Sequence, residues 1–288
     1  MHFNHTPTWM GPIKRFALVI ALLSITLPGF AQPWAYDFGT GSSVQANNTS
    51  STTFLTGTPV NGGTYRVRTA SATGGGTINR VDFGTTLGTG TELQIVGSTS
   101  TSTNKFGVYD WVPASTVAYL KYKVRTTSAT NGNLNVSLGV NTLVTDNNGY
   151  TSQYNNSIAS LTIAYTAGAI GSIVRRNGGA NTVITGSGFL KDADQSVEIY
   201  ANNGAGSTTY YRSGVANPLS TQQWDLWVDG VKISPSGGWA KAGTLASGNI
   251  TGFGFFSESS TSNSALFILD DIEYSNALPP QPVLDLPN

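Results

Sequence analysis

Short runs rich in Val, Ile, Thr, Tyr and Phe alternate with clusters of Gly, Asn and Ser, and no stretch after residue 31 keeps a helical period. Residues 117–125 are the clearest run. Ala118, Leu120, Tyr122 and Val124 share one predicted buried face, and Val117, Tyr119, Lys121, Lys123 and Arg125 share the other. Residues 133–138 repeat the pattern, with Leu134, Val136 and Leu138 inward. Further strands are predicted over 65–69, 92–97, 158–165, 172–175, 182–185, 196–200, 208–212, 224–233, 252–256 and 266–274. Many short strands at fairly regular spacing, with turn residues between them, predict an all-β chain folded as a two-sheet antiparallel sandwich or jelly roll. No strand–helix alternation supports an α/β fold.

The N-terminus departs from this pattern. Lys14 and Arg15 precede an almost unbroken apolar run over 16–27, and Pro28, Gly29, Phe30 and Ala31 follow. A basic start, a short apolar core and small residues at −3 and −1 describe a secretory leader over 1–31, with the mature chain starting at Gln32. The run is too short for a stable membrane span. We therefore expect a secreted or cell-surface location. One sandwich domain is expected over 32–278. Residues 279–288 are proline-rich and predict an extended tail or linker, of the kind that connects to a downstream module.

Composition narrows the chemistry. Both histidines (His2, His5) and both methionines (Met1, Met10) lie in the expected leader, and the chain has no cysteine. A mature chain of this kind has no imidazole or thiol for a Ser-His-Asp or Cys-His arrangement, and no His- or Cys-ligated zinc. Removing the leader leaves 13 basic against 15 acidic residues, which offers no pull toward nucleic acid.

Two C-terminal motifs carry a resemblance. Residues 224–233 read Trp-Asp-Leu-Trp-Val-Asp-Gly-Val-Lys-Ile, a strand, an Asp-Gly turn and a strand; residues 267–279 include Asp270, Asp271, Ile272 and a closing Ala277-Leu278-Pro279. Together they resemble the closing half of laminin-G-like, concanavalin A-like jelly rolls. Residues 91–97 and 104–110 are similar to N-terminal modules of bacterial proteins exported by the type IX route. The resemblance implies the sandwich fold. It does not single out a function, since such folds host lectins, adhesion modules, lyases and hydrolases.

Candidate sites follow. Asp270 and Asp271 are the strongest metal candidates, joined by Asp37 if the first and last strands pair; jelly-roll modules of the resembled kind hold a structural calcium in this way. Neighbours on a regular strand face opposite sides, so Asp270 and Asp271 are not expected to chelate one ion together, and a surface or turn role is the alternative. Tyr109, Trp111, Tyr211 and Trp239 are candidate glycan contacts, being aromatics set among Asn, Ser and Gln; a core position is the alternative for each. Asp225 and Asp229 flank Trp227 but stand about 13 Å apart on a strand, against about 5–5.5 Å for a retaining glycosidase pair. Asp229 is better explained by its turn. The segments 65–68 and 105–109 echo two elements of tyrosine-based polysaccharide lyases, whose histidine has no counterpart here. The expected function is a non-catalytic module that binds carbohydrate or another extracellular ligand, or that spaces or adheres. The alternative is a polysaccharide lyase or glycoside hydrolase using carboxylates or Tyr.

Overall fold

The structure is a computed structural model that describes residues 34–46, 50–56, 63–69, 75–82, 87, 90–99, 103–145, 154–258 and 265–282. The expected leader and the last residues of the tail lie outside these.

The strands, in chain order, are β1 (Trp34–Tyr36), β2 (Ser43–Gln45), β3 (Ser50–Ser51), β4 (Thr64–Arg68), β5 (Ile78–Val81), β6 (Glu92–Val96) and β7 (Asn104–Tyr109). The middle of the chain supplies β8 (Val117–Thr127), β9 (Gly132–Gly139), a one-turn helix α1 (Thr142–Thr145), β10 (Ser157–Thr166), β11 (Ala169–Asn177), β12 (Ala180–Val183) and β13 (Asp194–Asn202). Then come β14 (Thr208–Arg212), β15 (Val215–Leu219), β16 (Gln223–Val228), β17 (Val231–Lys232), β18 (Trp239–Ala240), β19 (Gly252–Glu258) and β20 (Leu266–Ser275).

All but β14 and β15, which pair with each other, lie in two large sheets, and every pairing between these strands is antiparallel. The first sheet runs β17-β16-β13-β8-β20-β6-β5-β2, with β1 added on β20 and β18 on β16. The second runs β12-β11-β10-β9-β19-β7-β4-β3. The chain is thus an antiparallel jelly-roll sandwich, as the strand pattern predicts. The core between the sheets is rich in aromatic rings. Phe255 meets Tyr122 edge-on at 4.9 Å and Phe267 edge-on at 5.8 Å, and stacks parallel to Phe106 at 6.2 Å. The predicted inner face of β8 is there: Ala118, Leu120, Tyr122 and Val124 are all buried.

The motif strands behave as their local chemistry requires. Asp229 and Gly230 both have positive φ, 48° and 79°, the geometry of a two-residue hairpin turn whose twist matches the strands. Asp229 Oδ1 accepts from Ser196 N at 2.8 Å and its Oδ2 from Gln195 Nε2 at 2.9 Å, so this carboxylate is a turn anchor.

Each sheet carries a small second layer on its outer face. The hairpin β14–β15 lies over the first sheet, where Tyr210 packs with Tyr119, Tyr200 and Leu219. Tyr119 is therefore buried, although alternation alone predicts a solvent face for it. On the second sheet, α1 buries Leu143 and Val144 against Phe256. Here Gly107 is required: a Cβ would lie 2.5 Å from Val144 Cγ2 and 2.6 Å from the main-chain oxygen of Phe253. Gly107→Ala is expected to cost about 1–3 kcal/mol in a urea unfolding titration. A loss too small to measure would mean that α1 does not press on the sheet.

Candidate functional site

The first and last strands pair: Trp34 faces Tyr274, Ala35 faces Glu273 and Tyr36 faces Ile272. β20 also pairs with β8, but the register shifts between Asp270 and Glu273. Asp271 sits at this bulge with φ 45°. The strict alternation assumed for two neighbouring aspartates therefore fails here. Asp270 turns inward and has no exposed surface, whereas Asp271 reaches outward to Lys123 Nζ at 2.7 Å.

Beside the bulge lies an open cleft of about 570 Å³, lined by Ala35, Tyr36, Asp37, Lys121, Lys123, Asp271 and Glu273. Its lysines come from the outer face of β8 and its acids from β20 and the end of β1. The charges pair across strands, Lys123 with Asp271 and Lys121 with Glu273 at 3.8 Å. The Lys123 ammonium is held above its usual range, chiefly by the hydrogen bond to Asp271. Tyr36 supplies the aromatic surface, and its hydroxyl donates to Thr56 O at 2.5 Å. Burial raises its pKa.

Behind the cleft is an uncompensated carboxylate. Asp270 Oδ1 accepts from Asp271 N at 2.7 Å, while its buried Oδ2 has no hydrogen-bond partner. Burial pushes its pKa from 3.8 up to about 7; the Asp271 N–H opposes this, and the charges of Asp271, Glu92 and Asp37 add to it. Asp37 is held by its own turn, with Gly39 N donating to Oδ1 at 3.0 Å. Its other oxygens face the space beside Gly90. A Cβ placed there would lie 3.1 Å from Gly39 O and 3.6 Å from both Asp37 O and Asp37 Oδ2.

Main-chain and carboxylate oxygens of this kind suit a hard cation such as calcium. Among the described residues no three His, Cys, Asp or Glu side chains converge as metal ligands. Any such ion would rest on Asp37, Asp270 and main-chain carbonyls. Asp271 leaves the expected metal set, because its carboxylate is turned to Lys123.

The four aromatic candidates are not at the cleft. Trp111 is 3% exposed and stacks on Tyr274 at 4.6 Å, so neither ring face is open to a sugar; this core position replaces the glycan-contact reading. Trp239 meets Trp224 edge-on at 5.0 Å and carries the Arg175 guanidinium over its ring, and so is corrected in the same way. Tyr109 is half-buried against Leu143, Val144 and Phe256. Tyr211 is half-buried on β14, with its N–H bonded to Pro279 O at 2.9 Å. The sequence reading missed Tyr36, Lys121, Lys123 and Glu273 as a group. Alternation put both lysines on an outer face; nothing local said that β1 and β20 would close beside them.

The segments that echo lyase elements do meet, with Arg66 opposite Gly107 and Arg68 opposite Lys105. Arg66 Nη1, however, donates to Val144 O at 3.2 Å and Thr145 O at 2.5 Å, which pins the end of α1, and Lys105 is 1% exposed. Asp225 is fully buried. It accepts from Tyr210 Oη at 2.7 Å and Ser234 Oγ at 2.5 Å, and pairs with Lys232 Nζ at 2.6 Å.

No helix among the described residues is long and apolar enough to cross a membrane. No family model and no curated protein matches the chain in sequence. Among solved structures, the chain is similar to the cellulose-induced protein Cip1, with TM-score 0.44 and 15% identity, over 70% of this chain and 87% of that one. It is similar to the carbohydrate recognition domain of Emp47p, with TM-score 0.38 and 10% identity, over 82% and 95%. A sialidase aligns with TM-score 0.42 and 11% identity over 69% of this chain, which spans 16% of the sialidase's length. At these scores and identities none of the three assigns a chemistry to this chain.

Proposed function

We propose that this chain is an exported, non-catalytic carbohydrate-binding module that takes its ligand in the cleft between β1, β8 and β20 and is braced by a calcium ion behind it. One observation carries the reading. The cleft sets ammonium and carboxylate groups in fixed cross-strand pairs around a phenol ring. Paired charges present oriented donors and acceptors, the complement of a sugar's hydroxyl array.

Binding is favoured over catalysis for a physical reason. A glycosidase needs a protonated acid and an ionised partner that both touch the substrate. Asp271 and Glu273 are each held by a lysine. Asp270, whose burial favours the protonated form, has no exposed atom with which to reach a sugar. The export expectation rests on the leader-like pattern of residues 1–31.

When bound, calcium would supply the positive charge that offsets the buried Asp270 carboxylate. Asp37 and Asp270 would hold it, and the bulge they brace orients Asp271 toward Lys123.

The test is a glycan array and isothermal calorimetry on soluble glycans, with and without calcium. Lys121→Ala is expected to weaken binding about tenfold or more, the worth of one charged hydrogen bond. It should leave the unfolding midpoint nearly unchanged, since an exposed ion pair contributes about 0–1 kcal/mol. Failure of the wild-type chain to bind any glycan under either condition would remove the reading.

A further inference from the structure

We infer that the sandwich carries a second site, at the seam where β11 meets β18, and that it takes an oxyanion, the carboxylate or sulfate of an acidic saccharide. The inference shares with the cleft reading only the saccharide and uses different strands. The seam forms because both sheets end on this side, the first with β17 and β18 beside β16 and the second with β12 beside β11. The turn after β11 closes it: Gly178 N donates to Lys241 O at 3.1 Å and Gly179 N to Ala242 O at 3.0 Å.

Arg175 carries the inference. It stands on β11 between Leu161 of β10 and Thr182 of β12. Ile173, two residues before it, is buried, so alternation turns Arg175 to the same inner face, at the margin of the core. There its guanidinium lies over the Trp239 ring, 5.3 Å from the centroid, and the indole face holds the cation in place. No acid matches its charge. Among the described residues Arg175 has no ion pair and no hydrogen-bond acceptor; Nη1 is shut off from water, whereas Nε and Nη2 reach the surface. Burial lowers its pKa, and no neighbouring charge opposes this.

Two further donors flank it. Thr182 is its cross-strand partner, with the Cβ atoms about 5 Å apart, and the Thr182 hydroxyl has no protein partner among the described residues. Lys241 follows Trp239 by two residues and so shares its side of the strand. Its Nζ donates to Leu245 O at 2.7 Å and Gln222 Oε1 at 3.3 Å, both neutral acceptors. This set fits an oxyanion. A guanidinium offers parallel N–H donors at the spacing of two carboxylate or sulfate oxygens, and an ammonium and a hydroxyl serve the remaining lone pairs. A half-buried cation without a counter-charge disfavours the folded chain, and an anion bound by the folded chain alone reverses that.

The test is calorimetry of the full chain at low and high salt with four probes: a hexauronate, its methyl ester, a sulfated hexasaccharide and inorganic polyphosphate. The hexauronate or the sulfated probe is expected to bind, more weakly as salt rises, and the tighter of the two identifies the oxyanion. Arg175→Gln should weaken that binding about tenfold or more, the worth of a charged hydrogen bond. Arg175→Lys, which keeps the charge and loses the fork, should fall between. Arg125→Gln removes an equal charge from an arginine already paired with Asp194 and should leave the affinity unchanged. The unfolding midpoint of Arg175→Gln should match wild type, because no acid is stranded. Absence of binding by both acidic probes overturns the site, as does binding indifferent to Arg175→Gln or equal binding of the methyl ester. Polyphosphate bound as tightly as the saccharides overturns the saccharide assignment. A chain already saturated with a neutral glycan in the cleft should bind the acidic probe with unchanged affinity. Acidic probes that bind through Arg175 while no neutral glycan binds would end the cleft reading and leave this site standing.

Discussion

Asp270→Asn is expected to abolish the response of stability to calcium and to flatten its dependence on pH between about 4 and 7. The carboxyl is fully buried, its Oδ2 has no partner, and its pKa rises from 3.8 to about 7 on folding. The sign follows from linkage. Below about pH 4 folded and unfolded chains both carry the proton, and the group costs nothing. Between about 4 and 7 the unfolded chain releases it while the folded chain retains it, so stability falls as pH rises, by at most on the order of 4 kcal/mol. Above about 7 the full penalty remains. A cation beside Asp270 removes the penalty, so the calcium effect should grow as pH rises through the same window. At a calcium level about a hundredfold above its Kd the gain is about 2.7 kcal/mol, or roughly 5–10 °C in Tm for a domain of this size. Asparagine keeps the shape and cannot ionise. Thermal unfolding of both proteins in chelator and in calcium, across this pH range, reads the effect. Equal calcium shifts in wild type and variant would exclude Asp270 as a ligand, and identical pH slopes in chelator would mean that its charge is compensated by some other group.

Lys232→Met is expected to be the most damaging single change at the far end of the first sheet. It leaves the buried Asp225 carboxylate with only the Tyr210 and Ser234 hydroxyls as donors. Removing one partner of a buried ion pair strands the other charge, at about 3 kcal/mol for a lysine that keeps some contact with water. The expected fall in Tm is roughly 6–12 °C. Pairing the change with Asp225→Asn removes the stranded charge and should recover much of that loss. A double variant no better than Lys232→Met would show that the cost lies in lysine packing instead. Because Tyr210 joins Asp225 to the hairpin, the single variant should also expose the backbone amides of β14 to hydrogen exchange.

Much of the scaffold is legible in the residues themselves. Alternation over 117–125 places Ala118, Leu120, Tyr122 and Val124 correctly, and the Asp229-Gly230 turn is read from two letters. Other features leave no such local mark. β15 carries Pro218 and sits in a two-stranded hairpin, so neither composition nor period announces it. β18 is two residues after a Gly-Gly pair and passes for loop. Trp111 and Trp239 sit beside polar residues in the sequence and are claimed in space by Tyr274 and Trp224, which lie far away along the chain.

The sequence by itself determined the longer strands, the inner face of β8 and the exclusion of imidazole and thiol chemistry after residue 31, because side-chain period, turn propensity and residue inventory are properties of neighbours. Only the tertiary structure decided which outer faces stay wet and which charges meet. Tyr119 is buried because a hairpin from residues 208–219 folds over it, and Asp270 and Asp271 part company because β20 must bulge to serve β8 and β1 at once. Those outcomes depend on loop closure and sheet register, which are set by the whole core and not by any run of residues.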